Sequence, residues 1–168
     1  RINIMKKILV ISIMLVGAFS LQAQLNYDYW ETVNITDDFG DPTGETARVI
    51  FCNGNFSNSA TSNNDDFIAK FVDYSSGGMV IQLFEYSKAP SASITYKTSQ
   101  GLIRVKINSG DVMSYDNIYG LEKGGLYIEE GNDFLEMVRS SNYLKININQ
   151  SDFSDYGNSV YNIIYNVK

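Results

Sequence analysis

Period-two alternation of apolar and polar residues runs through much of the chain. Ile103, Val105 and Ile107 share one side of a run while Leu102, Arg104 and Lys106 share the other. Leu144, Ile146 and Ile148 oppose Tyr143, Lys145 and Asn147 in the same way, and Tyr161, Ile163, Tyr165 and Val167 oppose Val160, Asn162, Ile164 and Asn166. Successive side chains of a strand point to opposite faces, so each run predicts a strand with one face in a core and one toward solvent. Tyr27–Ile35, Glu45–Cys52, Phe67–Tyr74, Met79–Tyr86 and Ile94–Thr98 alternate less cleanly. They are still rich in the β-branched and aromatic residues that fit a pleated, half-buried surface. Met79–Tyr86 is apolar on both faces, as suits a central strand.

Turn formers separate these runs. Asp37 to Gly44 joins the first two, an Asn/Ser-rich stretch from Asn53 to Asp66 joins the next two, and Ser75-Ser76-Gly77-Gly78 predicts a tight hairpin. Ser99-Gln100-Gly101 predicts another. One helix is expected at Asp133–Arg139: Asn132 or Asp133 can cap it, Glu136 lies three residues after Asp133, and Phe134, Leu135 and Val138 fall on one face. Residues 109–125 carry no readable period. The pattern as a whole predicts an all-β fold with one short helix, an antiparallel β-sandwich or small barrel of about eight strands.

The N-terminus reads as an address. Met5-Lys6-Lys7 precedes an almost unbroken apolar run from Ile8 to Phe19, and Ala23 supplies a small residue for cleavage. This is the pattern of an export signal, and the run is shorter than the roughly 20 apolar residues that span a bilayer. We therefore expect residues 1–23 to be a signal peptide, residues 24–168 a single β-rich domain without a transmembrane span, and the protein to be exported to the periplasm or beyond the cell. Cleavage would leave 145 residues and remove Arg1, Lys6 and Lys7, shifting the net charge from -6 to -9. A chain of that length can hold a core without disulfides or metals.

Composition closes several chemistries. There is no His, which excludes Ser-His-Asp and Cys-His catalysis and imidazole zinc sites. The single Cys, Cys52, excludes an internal disulfide and a CxxC motif, and its place in a strand-like run marks it as a small packed residue. A net charge of -6 argues against a nucleic-acid partner, which calls for a basic surface.

Asp38-Phe39-Gly40-Asp41-Pro42-Thr43-Gly44-Glu45, followed by Gly54-Asn55-Phe56-Ser57-Asn58-Ser59-Ala60-Thr61, resembles segments of a group of uncharacterised bacterial exported proteins. The resemblance implies an exported β-rich domain. It brings no activity and assigns no residue a role.

Two clusters are candidate sites. Asp37, Asp38, Asp41 and Glu45 could offer carboxylate oxygens to calcium as a cofactor, although position three of an EF-hand count from Asp37 is Phe39. The same residues also suit a turn, with Asp side chains bonding the local backbone and Pro42 fixing φ. Tyr27, Tyr29 and Trp30 could stack on sugar rings or anchor a protein contact, but alternation puts Trp30 on the opposite face from the tyrosines. Glu85, Glu122, Glu129, Glu130, Asp133 and Glu136 leave a two-carboxylate glycan hydrolase open as an alternative, without a spacing that selects a pair. Asn34, Asn55 and Asn149 begin N-x-S/T triplets, but a bacterial-style signal gives no reason to expect glycans on them. The expectation is a non-catalytic binding or interaction module with a protein or glycan partner outside the cytoplasm. The alternatives are the hydrolase and an envelope structural or inhibitor protein.

Overall fold

The structure is a computed structural model, and it describes residues 28–58, 65–85, 101–107, 110–121, 125–149, 151 and 159–168. The expected leader at 1–23 and the expected strand Ile94–Thr98 lie outside these residues. Nine strands and one helix follow in chain order: β1 Glu31–Thr36, β2 Pro42–Ser57, β3 Asp65–Tyr74, β4 Met79–Glu85, β5 Gly101–Lys106, β6 Val112–Leu121, β7 Gly125–Ile128, α1 Asp133–Ser140, β8 Tyr143–Asn149 and β9 Val160–Asn166.

All pairings are antiparallel, in the order β1-β2-β3-β4-β7-β6-β5-β8-β9. A further pairing of β9 with β2, from Gly54↔Ile163 to Ser57↔Val160, closes eight of these strands into a barrel. The length of β2 makes this possible. Its first half carries β1 on one edge (Thr36↔Pro42 to Glu31↔Val49), and its second half offers the same edge to β9. Of the two architectures the alternation allowed, the barrel is the one formed. Closure pairs both edges around the ring of eight, and β1 is the extra strand on the outside of it.

An eight-stranded barrel is just wide enough to be filled by its own side chains. The inward alternates meet this demand: Ile103, Val105, Leu144, Ile148 and Tyr161 are fully buried, with Ile146, Ile163 and Tyr165 nearly so. The set is the one the alternation put on the core face. β4 is buried on both faces, with Met79, Ile81 and Leu83 inside and Val80 in a second apolar cluster that includes Val49, Val72 and Tyr74.

Helix α1 presents Phe134, Leu135 and Val138 to the barrel core. Asn132 caps it, its side chain accepting from the Phe134 backbone N–H (2.9 Å) while its amide donates to the Asp116 carbonyl (3.0 Å). Asp133 and Glu136 in the first turn and Arg139 in the last complement the helix dipole. The Val138 carbonyl, left without a partner by the end of the helix, accepts from the Tyr165 hydroxyl at 3.0 Å.

Candidate functional site

The wall made by β9, β8 and β5 turns its apolar alternates inward and its polar ones out. Antiparallel register then lines the outward side chains into rows. Asn55 of β2 pairs with Asn162 of β9, Asn162 with Asn147 of β8, Asn147 with Arg104 of β5, and Arg104 with Ser114 of β6. The amides are chained along this row. Asn147 Nδ2 donates to Asn162 Oδ1 at 2.9 Å, and Asn162 Nδ2 donates to Asn55 Oδ1 at 3.1 Å. The adjacent row reads Ile164, Lys145, Lys106, Val112. At the ~4.8 Å spacing of neighbouring strands, the step from Asn55 to Arg104 covers about 14 Å.

These rows line a shallow groove of about 290 Å³. Arg104, Lys106 and Lys145 line it, and among the described residues no acidic one does, although the chain carries a net charge of -6. Lys106 and Lys145 stand directly opposite one another, and among the described residues neither has an ion-pair partner. Like charges facing across a ladder destabilise the sheet. The wall therefore joins a positive field, a row of amide donors and acceptors, and exposed aliphatic surface at Ile164 and Val112. Such a surface can hold an anionic group.

A second charged cluster lies where α1 meets the strands. The Asp73 carboxylate is almost wholly buried and accepts from Arg48 and from Arg139 Nη2 (2.8 Å). Arg139 also bonds Glu130 (2.7 Å) and Glu136 (3.1 Å). Glu130 in turn accepts from the Gly78 backbone N–H at 2.9 Å. Hydrogen bonds from Arg139, then from Gly78, hold the Glu130 carboxyl down at about 2. A group this acidic is ionised at neutral pH and stores no proton for acid catalysis. The cluster ties the helix to the β3–β4 hairpin.

The residues singled out from sequence are dispersed. Tyr27 and Glu122 lie outside the described residues. Tyr29 is exposed. Trp30 is half-buried: its Nε1 donates to the Tyr165 hydroxyl (3.1 Å), and the Arg48 guanidinium lies 5.0 Å from its ring centre. Tyr29 and Trp30 thus serve different surroundings. At the β1–β2 turn, Asp37 Oδ1 accepts from the backbone N–H groups of Phe39 (2.9 Å) and Asp41 (3.0 Å), and Gly40 and Gly44 have φ of +88° and +83°. This is the turn chemistry of the sequence. Asp38, Asp41 and Glu45 are exposed around it, and among the described residues no three His, Cys, Asp or Glu are gathered as a metal ion would require. Glu85 accepts from the Tyr161 hydroxyl at 2.7 Å, and burial, foremost, raises the Tyr161 pKa. Burial likewise pushes the Cys52 thiol up to about 12, so it is not a thiolate nucleophile.

The row itself was half visible. Alternation placed Arg104, Lys106, Lys145, Asn147 and Asn162 on outward faces. Only the strand order sets β5 beside β8, and β2 beside β9, and no local signal encodes either neighbour. Among the described residues no helix is long and apolar enough to cross a membrane. Comparison with protein-family models, with curated proteins and with solved structures finds no match.

Proposed function

We propose that the protein is an exported, non-catalytic binding module that holds an anionic partner on the outer wall of β9, β8 and β5. One observation carries this reading. Lys106 and Lys145 face each other, next to an amide row ending in Arg104, in a groove that no carboxylate among the described residues lines. The pairing works against the sheet, and a bound anion offsets it. The closed barrel supports the reading in a second way. Its interior is packed with side chains, so recognition falls to the outside, as on other rigid β scaffolds. Three cations fall short of the broad basic surface a nucleic-acid binder uses. A carboxylate-bearing chain, from an acidic glycan or an acidic protein segment, matches better. Export rests on the leader-like N-terminus.

The test is titration of the protein with two carboxylate-rich probes, polygalacturonate and poly-glutamate, followed by calorimetry. Binding of at least one probe is expected, weakening as salt rises and dropping at least tenfold in Lys106→Glu/Lys145→Glu. Binding that the double substitution leaves unchanged, or no binding of either probe, would overturn the proposal.

A further inference from the structure

The hairpin joining β1 to β2 ends in an exposed ring. Phe39 is 93% exposed, the most exposed large apolar side chain among the described residues. It stands on a tight turn. The Asp37 backbone N–H donates to the Asp41 carbonyl (2.9 Å), the Gly40 N–H donates to the Asp37 carbonyl (3.1 Å), and Asp37 Oδ1 holds two further N–H groups. Thr43 Oγ1 donates back to the Ile35 carbonyl at 3.0 Å. β3 pairs with β2 from Ala47↔Tyr74 onward, and Thr46 is held to Ser75 by two hydrogen bonds (the Ser75 N–H to the Thr46 carbonyl, 3.0 Å; the Thr46 N–H to Ser75 Oγ, 3.2 Å), so only Pro42–Glu45 and the turn extend past that point, opposite the end of β1. The result is a preorganised knob: one exposed ring on a turn whose chain neighbours Asp37, Asp38 and Asp41 are acidic. A large ring held out on a rigid turn can serve as an interface anchor.

The groove on β9, β8 and β5 has the complementary character. Lys106, Lys145 and Arg104 suit the acidic turn, and Val112 and Ile164, 61% and 48% exposed, flank the lysine pair at either end of its row, each an apolar contact for a ring. The knob cannot reach the groove of its own molecule. Pro42 and Asn55 lie on the same strand, β2, roughly 40 Å apart at the rise of an extended chain.

We infer that the occupant of the groove is the Phe39 hairpin of a second copy of this chain. The inference rests on the reading of the groove given above and names its partner. Knob and groove are different surfaces, so the contact is heterologous: each docked copy leaves one knob and one groove free, and assembly grows head to tail into rings or filaments. Acidic turn against lysine pair makes the contact salt-sensitive.

Sedimentation velocity on the full chain tests this with two variants that each lack one half, both checked for native circular dichroism. The wild type is expected to grow in size with concentration at low salt and to revert to monomer at high salt. Phe39→Ala keeps its groove and Lys106→Glu/Lys145→Glu keeps its knob. Each is expected to remain monomeric alone, and an equimolar mixture to form a 1:1 dimer and stop there. A wild type that stays monomeric, variants that assemble like it, or a mixture that does not pair would overturn self-docking. If polygalacturonate or poly-glutamate still binds that monomeric wild type and not the lysine variant, the binding face stands and only its occupant was misassigned. If neither probe binds, both readings fall.

Discussion

Closure of the barrel turns on Gly54, and replacing it by Ala tests whether the seam is built as described. Gly54 faces Phe67 on β3 and Ile163 on β9. A Cβ there would lie 2.3 Å from the Asn162 carbonyl oxygen and 2.4 Å from Phe67 Cε1. Favourable contacts for carbon lie near 3.5–4 Å, so both neighbours would have to retreat by about 1 Å or more. Neither can do so cheaply. The oxygen belongs to the β9 backbone, and Phe67 is 2% exposed, with the rings of Tyr161 and Phe56 centred 5.3 and 6.2 Å away. Overpacking of a tight site costs about 1–3 kcal/mol, and a backbone neighbour puts this case near 3. At about 2–4 °C per kcal/mol for a domain of this size, Tm falls by roughly 6–12 °C. Gly131→Ala is the matched control. Gly131 has φ +82° and nothing within 4 Å of an added Cβ, so its cost is torsional only, about 1–2 kcal/mol. Thermal melting gives the magnitudes and amide hydrogen exchange gives the place. Gly54→Ala is expected to accelerate exchange at Gly54–Ser57 and Val160–Ile163, and Gly131→Ala to leave those amides alone. A Gly54→Ala protein within 1 kcal/mol of wild type, or one with unaltered exchange at the seam, would refute the closure.

Other consequences can be checked in the same preparations. Tyr165→Phe keeps the ring against Phe71 (5.6 Å) and removes the hydroxyl that partners Val138 and Trp30, so stability should fall by about 1–3 kcal/mol in a denaturant melt; no change would mean the helix end finds another partner. Glu130 has its folded pKa depressed from 4.5 to about 2, so its contribution to stability is complete above the unfolded value and is lost as pH falls from 4.5 toward 2. Glu130→Gln should therefore flatten the acid limb of the stability curve in that window, and an identical limb in both proteins would contradict the ion-pair account. Cys52 should resist iodoacetamide at pH 8 in the folded protein and react once unfolded, since its thiol is buried and held up at about 12; rapid labelling under native conditions would be inconsistent with its place in the core.

The sequence made the strands legible because burial on one face imposes alternation, and β5, β8 and β9 alternate without interruption. The helix was legible from Asn132 and its apolar face, with the end one residue beyond expectation at Ser140. β6 and β7 were not. The β5–β6 register shifts between Gly101 and Ile103, and Asn117 adopts φ +57°, so the period breaks within Val112–Leu121 and no single alternation fits it. β2 extended well past both ends of its expected run. Its Gly54 reads locally as a breaker, yet it is tolerated because Phe67 covers it. The candidate site divided along the same line. Which way Lys145 or Asn162 points is a local property, whereas Lys106 standing opposite Lys145 is set by a pairing of strands some forty residues apart. At the acidic hairpin, the turn bonds of Asp37 follow from the residues themselves, whereas the point at which β3 begins its pairing, Ala47, is set by the strand order.

The central claim is that recognition uses the outer wall of β9, β8 and β5. The most direct measurement is a nitrogen–proton correlation spectrum of the labelled protein during titration with poly-glutamate and polygalacturonate. The account predicts that the side-chain amide signals of Asn55, Asn147 and Asn162 and the backbone amides of Arg104, Lys106 and Lys145 move together and saturate, while those of Phe134–Val138 stay fixed. Shifts confined to other parts of the barrel, or none with either probe, would contradict it.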